Sequence, residues 1–182
     1  MTQEPQDAVP FKDSYWAVER TLLAGPFPND HFDDSAIQML EGLLDVGVRH
    51  IINLTDNEET DCRGDYEPQM RDIAAKRNQE VTFTQFQIPG HCVPTVELMQ
   101  AILDDIDNVL SSKRGAVYVH CWAGRGRTGT VVGCFLARHG MAVGESALKM
   151  VAFLRNASPK ICLESPETEE QRDFVRQWKL DQ

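Results

Sequence analysis

His120-Cys121-Trp122-Ala123-Gly124-Arg125-Gly126-Arg127-Thr128-Gly129 stands between two apolar runs of different kinds. Before it, Gly115-Ala116-Val117-Tyr118-Val119 is β-branched and aromatic, which predicts a buried strand. After it, Val131-Val132-Gly133-Cys134-Phe135-Leu136-Ala137 predicts a buried helix. A strand, a glycine-rich turn and a helix N-terminus together form an oxyanion site. The first helical turn leaves N–H groups without partners, and the positive end of the macrodipole adds to their attraction for phosphate. Gly124 and Gly126 let the backbone curl around such a ligand, because they accept angles that a side chain forbids.

Three side chains turn this cradle into a candidate catalytic site. Cys121 lies at the strand end, where its sulfur shares the amides and the dipole that attract phosphate, a setting that favours a thiolate nucleophile. Arg127 closes the ring, since a planar guanidinium can hold two equatorial phosphoryl oxygens and an ammonium cannot match it. The hydroxyl of Thr128 can reach back to the sulfur as the thiolate leaves. Trp122, Ala123, Gly124, Arg125, Gly126 and Arg127 are the candidate phosphate-binding set, and His120 is expected to support the loop. A lone cysteine after a strand is commonly a small buried hydrophobe, but Cys, three glycines, Arg and Thr in register are hard to obtain by chance. Gly124-x-Gly126-x-x-Gly129 also satisfies the dinucleotide fingerprint, which wants a second strand ending in an acid roughly 20 residues on. The chain after Gly129 instead reads as helix upon helix. A Walker A loop is excluded, since no Gly-Lys-Ser/Thr is present.

The string His-Cys-x5-Arg-Thr resembles the signature of the cysteine-dependent protein tyrosine and dual-specificity phosphatases. Ala-Gly before the central basic residue and Gly-Arg-Thr-Gly after it resemble the compact dual-specificity branch. Ser14-Tyr15-Trp16 with Leu23-Ala24-Gly25 is similar to the opening strands of small bacterial members. Ser165-Pro166-Glu167-Thr168 with Gln171 is similar to the start of their last helix. The likeness covers nearly the whole chain, with the loop as its specific part. It implies a phosphomonoester hydrolase working through a phosphocysteine at Cys121, without metal or organic cofactor, on phosphotyrosine, phosphoserine or phosphothreonine in proteins. Resembling loops with a basic residue at the position of Arg125 include phosphoinositide and inositol phosphate phosphatases, so a small, multiply phosphorylated substrate is an alternative.

The chain departs from these relatives at Ile88-Pro89-Gly90, where they commonly carry Ile-Pro-Asp. That aspartate protonates the leaving oxygen, and a positioned acid is worth roughly a hundred- to ten-thousand-fold. His91 is the nearest replacement, because an imidazole exchanges its proton close to neutrality. Asp61 and Asp65 are the other contenders. A phosphate-binding module with weak or no catalysis is the competing expectation.

The 182 residues suit a single domain. Residues 1–10 are expected to be a loose arm and 11–182 the phosphatase domain. The fold class is α/β, a central, mostly parallel sheet flanked by helices on both faces and dual-specificity phosphatase-like. A net charge of −10 argues against affinity for nucleic acid or an anionic membrane. The five cysteines are scattered, with no close Cys-x-x-Cys pair, and no apolar leader or long apolar segment is evident. A reducing, cytoplasmic setting and a monomer are expected. His91-Cys92 and His120-Cys121 fit no usual zinc spacing, and a metal would consume the nucleophile.

Along the chain, strands are predicted at residues 15–18 and 21–24, with turns at Gly25-Pro26 and Pro28-Asn29-Asp30. A helix over 34–46 carries Ile37, Leu40, Leu43 and Leu44 on one face and stops at Gly47. A core strand follows at 48–54, its His50 structural. Residues 55–67 read as a charged loop with Asp56, Glu58, Glu59, Asp61 and Asp65. The resemblance implies that it borders the cleft, so that one carboxylate reaches substrate or orients Arg127. A helix over 68–77, a strand over 81–88 with one buried face and a loop over 89–94 come next. Thr95 caps a helix whose stripe is Leu98, Ile102, Ile106 and Val109, with Asp104, Asp105 and Asp107 as its solvated face. Arg138-His139-Gly140 ends the loop's helix. Another helix spans 145–155, with Leu148, Val151 and Ala152 inward. In the last helix Ser165 is the expected cap, Pro166 the first position and Glu167, Glu169 and Glu170 the dipole partners. Phe174, Val175 and Trp178 supply its buried face.

Overall fold

The computed structural model describes residues 9–28, 34–155 and 163–182. Most of the expected arm at 1–10, and Asn29 and Asp30 of one expected turn, lie outside the described residues. The sheet is built around β5 (Ala116–His120), whose five residues are all buried. A strand buried on both faces needs apolar side chains at successive positions, and Ala-Val-Tyr-Val supplies them. It pairs in parallel with β2 (Leu22–Gly25) on one side and β3 (Val48–Asn53) on the other. The edges are β1 (Tyr15–Val18), antiparallel to β2, and β4 (Thr82–Gln85), parallel to β3, giving the order β1-β2-β5-β3-β4. The expected strand over 81–88 is thus confined to four edge residues, of which Thr82 and Gln85 are exposed and Phe83 and Thr84 half-buried, while Val81 and Ile88 beside them are buried.

Seven helices are present among the described residues: α1 (Asp34–Asp45), α2 (Asn57–Arg63), α3 (Glu67–Lys76), α4 (Val96–Ser111), α5 (Gly126–Arg138), α6 (Glu145–Leu154) and α7 (Glu169–Gln177). Alternation along β5 divides two cores. Val117 and Val119 join Ile102, Ile106, Val131 and Phe135 on the α4–α7 side, and Ala116 and Tyr118 join Leu40, Leu43 and Met70 under α1 and α3. Every residue from Gly126 to Ala137 is buried, so α5 is a core helix whose neighbours shield all its sides. Gly25 and Asn53 lie opposite His120, so three parallel strands end at one level. The loop after β5 emerges there, at the carboxyl ends of the strands, where open α/β sheets place their ligand sites.

Several local expectations are corrected. The charged segment 55–67 contains α2, started by a reciprocal capping box in which Asp56 accepts from Glu59 N (2.9 Å) and Glu59 accepts from Asp56 N (3.2 Å). The last helix starts at Glu169 rather than after Ser165, because Thr168 and Gln171 form the same device. The Ser165 hydroxyl instead donates to Arg125 O at 2.7 Å. The aspartates of α4 are not merely solvated: Asp105 meets His50 Nε2 at 2.9 Å, and Asp104 and Asp107 accept from Arg138 at 2.7 and 3.0 Å. Ile37 is 38% exposed, and in α6 the inward alanine is Ala147, not Ala152. No helix among the described residues is long and apolar enough to cross a membrane.

Candidate active site

Residues 121–129 leave β5 and run into the first turn of α5, and neighbours from distant parts of the chain fix their path. Leu54 N donates to His120 O (2.9 Å) and Phe27 N to Trp122 O (3.1 Å), holding the loop on both flanks. Gly124 has φ +65°, and a Cβ there would lie 2.3 Å from the carbonyl carbon of Gly25. At Gly129 a Cβ would lie 2.2 Å from Ser165 Oγ. Gly124 therefore demands glycine for backbone angle and contact together, while a side chain at 129 would turn the Ser165 hydroxyl away from Arg125 O.

Cys121 is 3% exposed, yet it lines a cleft of about 540 Å3 together with Trp122, Ala123, Gly126 and Arg127 from the loop. Glu58, Glu59 and Cys62 from α2, Gly90 and His91 from the loop before α4, and Glu167 and Gln171 complete the lining. A volume of this order suits a small ligand or one side chain of a larger one. The N–H groups in the first turn of α5 have no acceptor within the helix. The Thr128 hydroxyl is buried and makes no hydrogen bond with any described residue, as suits a donor for the sulfur or for an oxyanion.

Arg127 is 5% exposed and held by a two-pronged pair: Nη1 donates to Glu59 Oε2 (2.5 Å) and Nη2 to Glu59 Oε1 (2.7 Å). Nη1 also donates to Ile88 O at 2.8 Å. Burial works against its charge, but Glu59, with Cys121 and Asp56 nearby, holds the guanidinium proton more firmly than usual. Glu59 is thus the carboxylate that orients Arg127, and the capping box of α2 fixes Glu59 in turn. Asp61 and Asp65 do not line the cleft; Asp65 accepts from Glu67 N at 2.9 Å, at the start of α3. His91 does line it, with 73% of its side chain exposed, φ +62° and Nδ1 3.7 Å from Glu167 Oε2. Trp122 lines the cleft too, and the Arg63 guanidinium lies 4.2 Å from its ring centroid. Arg125, placed in the binding set by sequence, is bonded to Glu167 and does not line the cleft.

His120 is fully buried beneath the loop. Its Nδ1 lies 3.2 Å from Cys121 O, which can only accept, so Nδ1 carries the hydrogen and Nε2 accepts from the Tyr66 hydroxyl at 2.6 Å. Burial pushes the Tyr66 phenol well above its usual range and keeps that donor protonated. Burial also lowers the His120 pKa from 6.5 to about 3, with Arg127 adding to the fall and the bond to Cys121 O opposing it. The unfolded chain therefore binds this proton more tightly than the folded one. The stabilisation is complete above about pH 6.5 and drains away toward pH 3, at about 1.4 kcal/mol per pH unit. Urea unfolding should show about 2–3 kcal/mol lost through this residue between pH 7 and 4.5. His120→Asn should be less stable at pH 7 but flatter over the same interval; equal slopes for the two proteins would remove His120 from the acid response.

A cysteine seated between the carboxyl end of a parallel strand and a core helix, with a clamped arginine at the other end of the loop, defines a cysteine-centred phosphatase domain of the compact dual-specificity type. The chain belongs to the family described as Swiss Army Knife protein, DSP-PTPase phosphatase domain (PTP-SAK), whose model matches residues 30–175. Among curated relatives, the mouse dual specificity protein phosphatase CDC14B is 39% identical over 87 residues, 47% of this chain and 16% of that one. The Arabidopsis thaliana phosphatidylinositol 3,4,5-trisphosphate 3-phosphatase and protein-tyrosine-phosphatase PTEN1 is 31% identical over 96 residues, 52% of this chain and 22% of that one. The chain thus spans less than a quarter of the length of either relative. Tk-PTP in its active form has the same fold, with a TM-score of 0.67 at 20% identity over 92% of this chain and 96% of that one.

Proposed function

We propose that this chain is a phosphomonoester hydrolase acting on phosphotyrosine, phosphoserine or phosphothreonine in proteins, as a monomer in a reducing cytoplasm. The observation that carries the reading is that Cys121 lines the cleft together with Arg127 from the first turn of α5, whose plane Glu59 fixes. The Cys121 thiolate attacks phosphorus in line; the P–S bond forms as the P–O bond to the leaving group breaks. Arg127 and the loop amides hold the three remaining oxygens throughout, already oriented before charge redistributes. Water then attacks the phosphocysteine, the P–S bond breaks, and the Thr128 hydroxyl stabilises the departing thiolate. The family names of the relatives support protein substrates, and the PTEN1 name adds a phosphoinositide to the possible range.

The leaving oxygen needs a proton that Gly90 cannot give. His91 is the imidazole that lines the cleft, and in this reading it donates that proton and later takes one from the attacking water. The test is phosphate release from an aryl and an alkyl monophosphate. An aryl oxide leaves with little help, so His91→Ala should slow the alkyl substrate by about a hundredfold and the aryl substrate by much less. Equal slowing of both would assign the acid elsewhere. Phosphate binding without release from either ester by the unaltered protein would leave a binding module in place of an enzyme.

A further inference from the structure

Glu167 occupies a position that the hydrolysis itself does not call on. One carboxylate oxygen accepts from Arg125 Nη2, and the other lies 3.7 Å from His91 Nδ1. Its backbone is fixed, since Glu167 N donates to Gln171 Oε1 (3.0 Å) and Arg172 Nη1 donates to Glu167 O (3.2 Å). Arg125 is drawn to the same segment from its other end, where its carbonyl accepts from Ser165. The consequence is an exchange of charge at the cleft wall. Arg125 stands next to the phosphate seat in sequence but is absent from the lining, and the Glu167 carboxylate is present there instead. The remaining charged lining is Glu58, Glu59, Arg127 and the ionisable His91, Cys62 and Cys121. Arg127 is matched by Glu59, and Arg63 at the rim is stacked on Trp122. Beyond the seat for one phosphoryl group, the cleft presents carboxylates to whatever else the substrate carries.

We infer that Glu167 is a specificity-determining residue: by holding Arg125 out of the cleft and placing its own carboxylate there, it restricts the site to phosphomonoesters without a second phosphate. The inference rests on the phosphatase reading and deepens it. A second phosphate would meet repulsion from Glu167 and find Arg125 already neutralised, whereas removal of Glu167 releases a guanidinium within reach of it. Charge-assisted hydrogen bonds of this kind are worth about 10- to 100-fold in affinity.

The experiment compares kcat/KM on two peptides of one sequence, one carrying a single phosphotyrosine and one carrying a second phosphorylated residue beside it. The unaltered protein should prefer the singly phosphorylated peptide. Glu167→Ala should raise the ratio of doubly to singly phosphorylated peptide by about 10- to 100-fold, and adding Arg125→Ala should cancel most of that gain. Glu167→Gln, which preserves shape and the backbone bonds to α7, should shift the ratio the same way by a smaller factor. A ratio unchanged within about twofold in both single variants, or a gain that survives Arg125→Ala, would overturn the inference. If neither peptide is hydrolysed, the phosphatase reading fails on its own. The same ratios are then read as dissociation constants by calorimetry with the Cys121→Ser background, and the same outcomes decide.

Discussion

Cys121→Ser should lower turnover of an aryl phosphate by about 10^4-fold or more, on the scale seen when a covalent nucleophile is removed, and leave phosphate binding in place. The Cys121 sulfur stands at the start of the loop that runs into α5, whereas the proposed seat is made by backbone amides and Arg127, which the substitution does not touch. Serine is smaller and its hydroxyl is far harder to ionise, and no general base stands behind it: His120, directly before it, has its acceptor nitrogen occupied by Tyr66. Phosphate release by the two proteins, with inorganic phosphate affinity measured by calorimetry, checks the prediction. A serine variant that keeps most of its activity would remove the phosphocysteine from the mechanism. Loss of binding as well would mean that Cys121 holds the loop's shape.

Arg127→Lys should cost about 10^2- to 10^3-fold in kcat/KM, with kcat falling by a similar factor. An ammonium keeps the charge but loses the planar fork that now spans both oxygens of Glu59 and would span two phosphoryl oxygens. It also leaves Ile88 O without the donor it has in the structure. Kinetics on an aryl phosphate decide between roles. Equal loss in kcat and kcat/KM places the contact in the transition state, while a rise confined to KM would reduce Arg127 to a docking charge. Thermal unfolding of the same variant separates a lost contact from a collapsed loop.

The core of this fold is written locally, and so it is readable in the chain. The unbroken apolar run of β5, the glycines after it and the apolar run of α5 lie within two dozen residues, and each has a local physical cause. The partners of the site are not local. Glu59 meets Arg127 across 68 residues and competes in the sequence with four nearby carboxylates that look the same. Its helix was legible, because Asp56-x-x-Glu59 is a capping box, but the density of charge around it favours reading a loop. Asp104, Asp105 and Asp107 look solvated because nothing beside them is basic; Arg138 and His50 reach them only through the tertiary fold. Glu167 reads as a helix-dipole residue until the fold brings Arg125 against it. Ser165 lost the cap to Thr168 because Gln171 completes the reciprocal pair with Thr168.

The distances along the chain between these partners also order events during synthesis. When β5 and the loop leave the ribosome, β2, β3 and α2 have already been made, so Cys121 can enter the sheet and Arg127 can find Glu59. The wall that packs on Gly129 and holds Arg125 is made later: Ser165 follows Arg125 by 40 residues. Domains generally form as units while the chain emerges, and here one wall of the cleft that holds Cys121 arrives only after the loop itself. A nascent chain therefore carries Cys121 for some time before it carries a closed cleft around it.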